Sequence, residues 1–366
     1  MERIEEFNIK MNRVRGFLDD SGADGAAFTR TDHFAWLTCG GSSYVNSAGE
    51  GGVGTVVVTR DRAVLITNRI EERRLADEEI AGLPIEVVAL PWQADREAFA
   101  AKEYFRGGKF FTDIPFAGLA PLVAAFDTLM YELTAAEIAR YRELGRLTGE
   151  ALQAACRKAV RGISENEIAG LLARNCLASG VHPTVMLVAA DERLKLYRHP
   201  LPTENRVDKT VMVVVCGRRH GLIASCTRIV SVGEPDAELV RRHEACIRVD
   251  LAFNTGTLPG RRVADVFAEA QEAYREGGFD GEWNLHHQGG GTGYKGRNFF
   301  GSEHSSEVVS AYTAYAWNPS ITGTKCEDTM LVLPGGNEFI TQAADWPRRA
   351  IEYKGRVVER PDILAV

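Results

Sequence analysis

His286-His287-Gln288-Gly289-Gly290-Gly291-Thr292-Gly293 is the stretch whose residue types speak most directly of chemistry. Imidazole titrates near neutral pH and can carry a proton in either direction. Three consecutive glycines let another group come close to the backbone. His287 or Gln288 beside them would then offer directional hydrogen bonds to a substrate. The plainer alternative is a flexible turn between a helix and a strand. Adjacent histidines on an extended segment point to opposite faces, so His286 and His287 are not expected to share a mononuclear metal site. Gly291-Thr292-Gly293-Tyr294-Lys295-Gly296 has the form GxGxxG. A dinucleotide fingerprint needs an apolar strand before it and an amphipathic helix after it. Trp283 to His287 and Arg297 to Phe300 supply neither, so no dinucleotide is expected. Tyr294, Lys295 and Arg297 read as a solvated basic loop or as a grip on an anionic group.

The surrounding chain is of ordinary globular composition. It has 366 residues, 45% hydrophobic and 25% charged, and a formal net charge of -7. That length favours two domains. The acidic balance argues against nucleic acid or an anionic membrane as partner. Met1 to Glu6 lacks the apolar core of a signal peptide, and no apolar run is long enough for a transmembrane helix. The seven cysteines are odd in number and scattered, without a CxxC pair. Reduced thiols in a cytoplasm fit this better than a disulfide framework.

Two element patterns must position any site. Residues 1–125 read as an α/β unit. Ile4, Phe7, Met11, Val14 and Leu18 have helical spacing over 2–18. A strand follows at 26–28, then a hairpin of 55–58 and 63–66, a helix over 72–81, and strands at 85–90 and 110–112. A run rich in Gly, Pro and small apolar residues at 114–125 marks a boundary. Residues 126–366 read as α+β. Thr134-Ala135-Ala136-Glu137 and Ser164-Glu165-Asn166-Glu167 are capping boxes that start helices ending near 160 and 180. A hairpin of 212–215 and 222–230 follows, then helices over 236–248 and 262–276 and strands at 311–317, 329–333 and 337–341.

The order of capped helices, a His-Pro pair, a Thr-Arg hairpin, a Gly-rich turn and a Glu-Asp strand resembles the M24 family of creatinase, prolidase and aminopeptidase P. The resemblance implies a C-terminal pita-bread domain over 126–366, preceded by a creatinase-like N-terminal α/β domain over 1–125. It also implies a homodimer, in which the region of His33, Trp36 and Tyr44 would serve as a substrate lid or simply as core. Metal-dependent members hold two cations with two Asp, one His and two Glu. The matching positions here are Val215, Ser225, Gly290, Asn318 and Glu327. Only Glu327 keeps a ligand, and one carboxylate cannot neutralise two divalent cations. No metal or other cofactor is therefore expected.

Creatinase keeps this fold without metals and hydrolyses a C–N bond. By that resemblance His199, in Arg198-His199-Pro200, becomes the general acid–base. Glu327 would orient water or hold charge, or would merely pair with Lys325 or an Arg. Cys226, beside the Ser225 position, is a nucleophile candidate if its thiol is activated; otherwise it is a small buried strand residue. Ser225, Arg228, Gly290 and Asn318 join His286, His287 and Gln288 as the candidate substrate-binding wall. The reading that follows is a metal-independent hydrolase of a small amide or amidine C–N bond. The alternatives are a non-catalytic peptide- or protein-binding module and an Xaa-Pro metallopeptidase. The expected partner is a small molecule or short peptide.

Overall fold

The computed structural model describes residues 2–116 and 119–366. The expected boundary at 114–125 thus partly falls on residues 117 and 118, outside the described residues. The chain divides into two compact units. The first holds residues 1–137 with 220–222; the second holds 138–219 with 223–366.

In the first unit the helix Arg3–Ser21 is closed by a capping box between Glu2 and Glu5 and by Gly22 in the left-handed region. The six strands β1 (Gly25–Arg30), β2 (Gly51–Thr59), β3 (Ala63–Asn68), β4 (Glu86–Leu90), β5 (Phe110–Thr112) and β6 (Ala120–Pro121) form one mixed sheet in the order β4-β3-β2-β1-β5-β6. Their valines and isoleucines bury one face against Ala100 and its helix, Arg96–Tyr104. His33 and Trp36 lie on a helix, Thr31–Leu37, that the sequence reading missed. Both are buried. The His33 ring is held between Asp113 and Asp127, at 2.8 and 3.1 Å, and both residues serve the core of this unit.

The second unit is α+β. Both expected capping boxes form, the first within the last residues of the first unit: Glu137 N–H donates to Thr134 Oγ1 at 3.2 Å, and Glu167 N–H to Ser164 Oγ at 3.1 Å. The helices run Ala135–Cys156 and Glu165–Ala178. Strands β7 (His182–Ala190), β8 (Thr210–Arg219) and β9 (Leu222–Ser231) join a short C-terminal β18 (Leu364–Ala365) in the order β18-β9-β8-β7. A second sheet of β10 (Gly289–Thr292), β11 (Thr313–Trp317), β14 (Asp328–Leu333) and β15 (Gly336–Phe339) has the order β10-β11-β14-β15. Two-stranded ribbons, β12 (Ser320–Ile321) with β13 (Thr324–Lys325) and β16 (Arg348–Tyr353) with β17 (Arg356–Pro361), complete it. The helices Ala237–Gly256 and Val263–Glu276 pack on each other and bury Ile247, Phe253, Phe267 and Tyr274 with Trp317 and Met330. The first of these outruns the expected 236–248 by two turns.

The triple glycine corrects an expectation. Gly289, Gly290 and Gly291 form a buried strand, not a flexible turn. A Cβ on Gly289 would lie 2.2 Å from Ala316 O, and one on Gly290 would lie 2.3 Å from Phe299 O. A Cβ on Gly291 would lie 2.5 Å from the Phe299 ring. The glycines admit the chain's own backbone, and Gly290 is not a substrate contact.

Candidate functional site

The two sheets of the second unit meet where Thr227 of β9 bridges Glu327, just ahead of β14. Thr227 N–H donates to Glu327 O at 3.0 Å, and Thr227 Oγ1 to Glu327 Oε2 at 2.8 Å. Alternation along an extended segment puts Lys325 on the same face as Glu327. Lys325 Nζ lies 3.0 Å from Glu327 Oε2, and Arg297 NH2 lies 3.0 Å from Oε1. The three side chains are 4%, 2% and 10% exposed in the order Lys325, Glu327, Arg297. Burial pushes the Glu327 pKa up, but the two cations and the Thr227 hydroxyl outweigh it and bring it to about 2. Glu327 is therefore a permanent carboxylate near neutral pH, with both oxygens engaged. It cannot shuttle protons there.

Three histidines gather beside this cluster. Asp191 accepts the N–H groups of Asp208, Lys209 and Thr210 at 2.8 to 2.9 Å and fixes the start of the loop that carries His199. Arg198 then donates to Glu282 at 2.5 Å, clamping that loop to the 3-10 turn Glu282–Leu285. Glu282 also accepts Thr322 N–H and Oγ1, each at 3.0 Å. The clamp brings His199 and His286 together with Nε2 to Nε2 at 2.9 Å. His286 sits at a bend, so its neighbour does not turn away as a straight strand would require. The His286 and His287 ring centroids are 4.2 Å apart, and those of His199 and His287 5.4 Å. This overturns the expectation that adjacent histidines face apart. Burial lowers all three pKa values, aided by Lys325 in each and by Arg297 at His199 and His287: His199 shifts down, His286 to about 2 and His287 to about 4. All three imidazoles are neutral at pH 7.

The remaining candidates separate into two groups. Ser225 and Thr227 share one face of β9, and Ser225 Oγ lies 3.1 Å from Cys216 Sγ. Cys226 and Arg228 share the opposite face, which corrects the placement of Cys226; Arg228 still lines a small cleft with Thr227, Lys325 and Glu327. Cys226 is fully buried, and desolvation pushes its thiol well above the ordinary value. Arg228 pairs with Asp328 at 2.8 Å. Gln288 is spent internally: its carbonyl accepts Tyr274 OH at 2.7 Å and its NH2 donates to His286 O at 2.7 Å and Trp283 O at 3.1 Å. It braces the histidine bend rather than facing substrate. Asn318 is buried, and its Oδ1 has no protein partner among the described residues. The same holds for His286 Nδ1, Ser320 Oγ and Arg297 Nε. A small cavity of about 10 Å³, room for about one water, is lined by His286, Ser320 and Lys325 with Leu194, Tyr197 and Met212.

The pairing of Glu327 with Lys325 and an arginine is the plainer of the two roles expected for it, and Thr227 is the member of the cluster that the residues did not point to. Lys325 had a usable signal, since it stands two residues before Glu327. Which arginine pairs with Glu327, and that Thr227 joins it, had no local signal, because Arg297 and Thr227 reach Glu327 across 30 and 100 residues of chain.

A family model for metallopeptidase family M24 matches residues 139–333, more than half of the chain. The chain belongs to that family. This M24 member is 21% identical over 214 residues to an uncharacterised peptidase of Staphylococcus saprophyticus, an alignment covering 56% of this chain and 61% of that one. It thus spans less than two thirds of that relative's length. Its fold is similar to an Xaa-Pro dipeptidase from Bacillus anthracis, with TM-score 0.76, 21% identity, and coverage of 92% of this chain and 98% of that one. It is similar to the prolidase from Pyrococcus horikoshii, with TM-score 0.78, 18% identity and coverage of 91% and 98%. The N-terminal domain of the FACT complex subunit SPT16 from chickpea shares it too, with TM-score 0.69, 13% identity and coverage of 92% and 96%. At these identities the structures establish the architecture: a prolidase-like N-terminal domain followed by a C-terminal pita-bread domain.

At the five positions that the resemblance matches to the family's metal ligands, the side chains present do not suit a pair of cations. Val215 and Gly290 offer no side-chain donor. Ser225 and Asn318 are neutral, and Glu327 already faces two protein cations. Two added divalent ions would meet Lys325 and Arg297 with no spare carboxylate to offset them.

Proposed function

We propose that this M24 member hydrolyses a C–N bond of a small amide or amidine without a metal, with His199 as the general acid–base. The observation that carries this reading is the His199–His286 imidazole pair beside the Lys325–Glu327–Arg297 cluster. A neutral His199 takes a proton from water as the water oxygen bonds to the substrate carbon. The electron pair of the breaking C=X bond moves onto its heteroatom. His199 then returns the proton to the departing nitrogen as the C–N bond breaks. His286 holds the His199 ring through Nε2 and so sets where its lone pair points. Two cations against one carboxylate leave the local field positive, which favours the negative charge that develops in the addition step. Arg297 Nε is a buried donor with no protein partner among the described residues, and is suited to that charge.

The test is turnover of a panel of small amides, ureas and amidines by chelator-treated protein. We expect chelator-resistant turnover, reduced at least about 100-fold in His199→Ala with unchanged thermal melting. Turnover that appears only on adding Mn²⁺, Co²⁺ or Zn²⁺, or that survives in His199→Ala, would sink the reading. Xaa-Pro dipeptide hydrolysis is the second reading, supported by the family and by the fold shared with an Xaa-Pro dipeptidase. A binding module is the third, supported by the fold shared with the SPT16 domain. Dipeptides with added metal therefore belong in the same panel, and peptide capture by protein lacking all turnover would favour the third.

A further inference from the structure

We propose that His199, His286 and His287 form a binding site for one imidazole-seeking transition metal ion, Zn²⁺, Ni²⁺ or Cu²⁺, and that its occupation silences His199. The site uses none of the five positions at which the family resemblance places metal ligands. The argument begins with distance. Among the described residues, one ring nitrogen from each of the three histidines lies within 4.8 Å of the others. A metal bonded to imidazole at about 2.0–2.1 Å sets two tetrahedral ligands about 3.3 Å apart. His199 and His286 already stand at 2.9 Å, nitrogen to nitrogen. Closing the wider separation takes ring rotation in His199 and His287, which are both exposed. The Arg198–Glu282 clamp and the Gln288 brace hold the backbone on either side.

Charge then selects the metal. Lys325 and Arg297 outnumber Glu327 by one positive charge beside the cluster. Hard cations such as Mg²⁺, Ca²⁺ and Mn²⁺ depend on carboxylate oxygens and find no free one here. Zn²⁺, Ni²⁺ and Cu²⁺ bind neutral imidazole with an affinity that does not need a neighbouring anion. Three protein ligands would leave a tetrahedral ion one open position. The bonded lone pair on His199 is then no longer available to a proton. The silencing clause rests on the proposed role of His199; the binding clause does not.

The experiment uses the full chain, stripped with chelator and dialysed. Zn²⁺ and Mn²⁺ are each titrated by calorimetry, and retained metal is counted by elemental analysis after desalting. We expect one Zn²⁺ per chain, no retained Mn²⁺, and at least about a 10-fold weaker Zn²⁺ affinity in both His287→Ala and His286→Ala. His304→Ala removes an exposed histidine elsewhere and should leave stoichiometry and affinity unchanged. His287 is exposed, so its variant keeps the test valid if the buried His286 variant fails to fold. No retained Zn²⁺, Zn²⁺ binding unchanged in His287→Ala, or preferential retention of Mn²⁺ would each overturn the site. Where turnover has been found, one equivalent of Zn²⁺ should abolish it; unimpaired turnover with Zn²⁺ bound would overturn the silencing. Failure to find any substrate leaves the binding result standing by itself.

Discussion

Glu327 and Asp328 are chain neighbours with almost the same inventory and opposite surroundings. Each is a buried carboxylate held by two cations and a threonine hydroxyl. Glu327 has Arg297, Lys325 and Thr227. Asp328 has Arg228 at 2.8 Å, Arg360 at 3.0 Å and Thr341 at 2.8 Å. On the Asp328 side the cations pack against aromatic rings, although a small cleft also reaches Arg228, Asp328 and Arg360. Arg228 lies over Trp346 and Arg360 over Phe339, and Arg360 also binds Asp250 at 2.5 Å. On the Glu327 side Lys325 borders the cavity, and the histidines stand beside it. Strand alternation sends consecutive side chains to opposite faces. One step along the chain thus separates a bolt between strands from a charge that faces a site.

The largest expected effect tests that difference in stability. Asp328→Ala strands Arg228 as an uncompensated buried charge and leaves Arg360 with Asp250 alone, and should cost about 3–5 kcal/mol in denaturant unfolding. Glu327→Gln keeps its shape and leaves Lys325 beside a cavity that water can reach. We expect about 1–3 kcal/mol, the usual cost of leaving a buried polar partner unsatisfied. Equal losses in the two variants would break the comparison, because both carboxylates would then be structural.

Acid should separate the two faces next. The folded pKa values of His286 and His287, about 2 and about 4, lie below the ordinary 6.5. Depressed values mean that the unfolded chain takes up these protons first. Their contribution to stability is complete above pH 6.5 and is lost as pH falls through the depressed values. Glu327 behaves likewise one step lower, between its ordinary 4.5 and about 2. The urea midpoint should therefore decline from pH 7 to pH 4, and less steeply in His286→Phe. The same direction applies to chemistry: His199 is shifted down, so turnover should persist below pH 6.5 and fall only under its lowered pKa. An unchanged slope in His286→Phe would remove the histidine cluster as its source.

Much of the architecture could be read from local pattern. The capping boxes at Thr134 and Ser164 formed, since each is settled within four residues. Val263, Val266, Phe267 and Ala270 lie buried on one helix as their spacing requires. The site was legible only where it too is local. Lys325 and Glu327 alternate onto one face, a relation open to inspection. The meeting of His199 with His286 depends on an ion pair from Arg198 to Glu282 across 84 residues, which no periodicity reports. The glycines misled for a related reason. Their sequence shows that something approaches the backbone, but not that it is Phe299 of the same chain.

The smallest effect concerns the other face of β9. Cys226 stands between Ser225 and Thr227 in sequence, and only its direction keeps it from the site. Its thiol is fully buried and held protonated by desolvation. A nucleophilic thiolate would have to form against that cost, with Glu327 and Asp328 both disfavouring a further negative charge. Cys226→Ser should therefore leave turnover within about 2-fold of the parent, while a buried hydroxyl in place of the thiol costs about 1 kcal/mol of stability. The two readouts divide the explanations. A loss of rate that follows the loss of stability, and recovers on cooling, leaves Cys226 a packing residue. A loss of rate at unchanged stability, together with covalent labelling of Cys226 by a thiol reagent in the folded protein, would mean that β9 presents both faces to substrate and that the division between Glu327 and Asp328 is drawn in the wrong place.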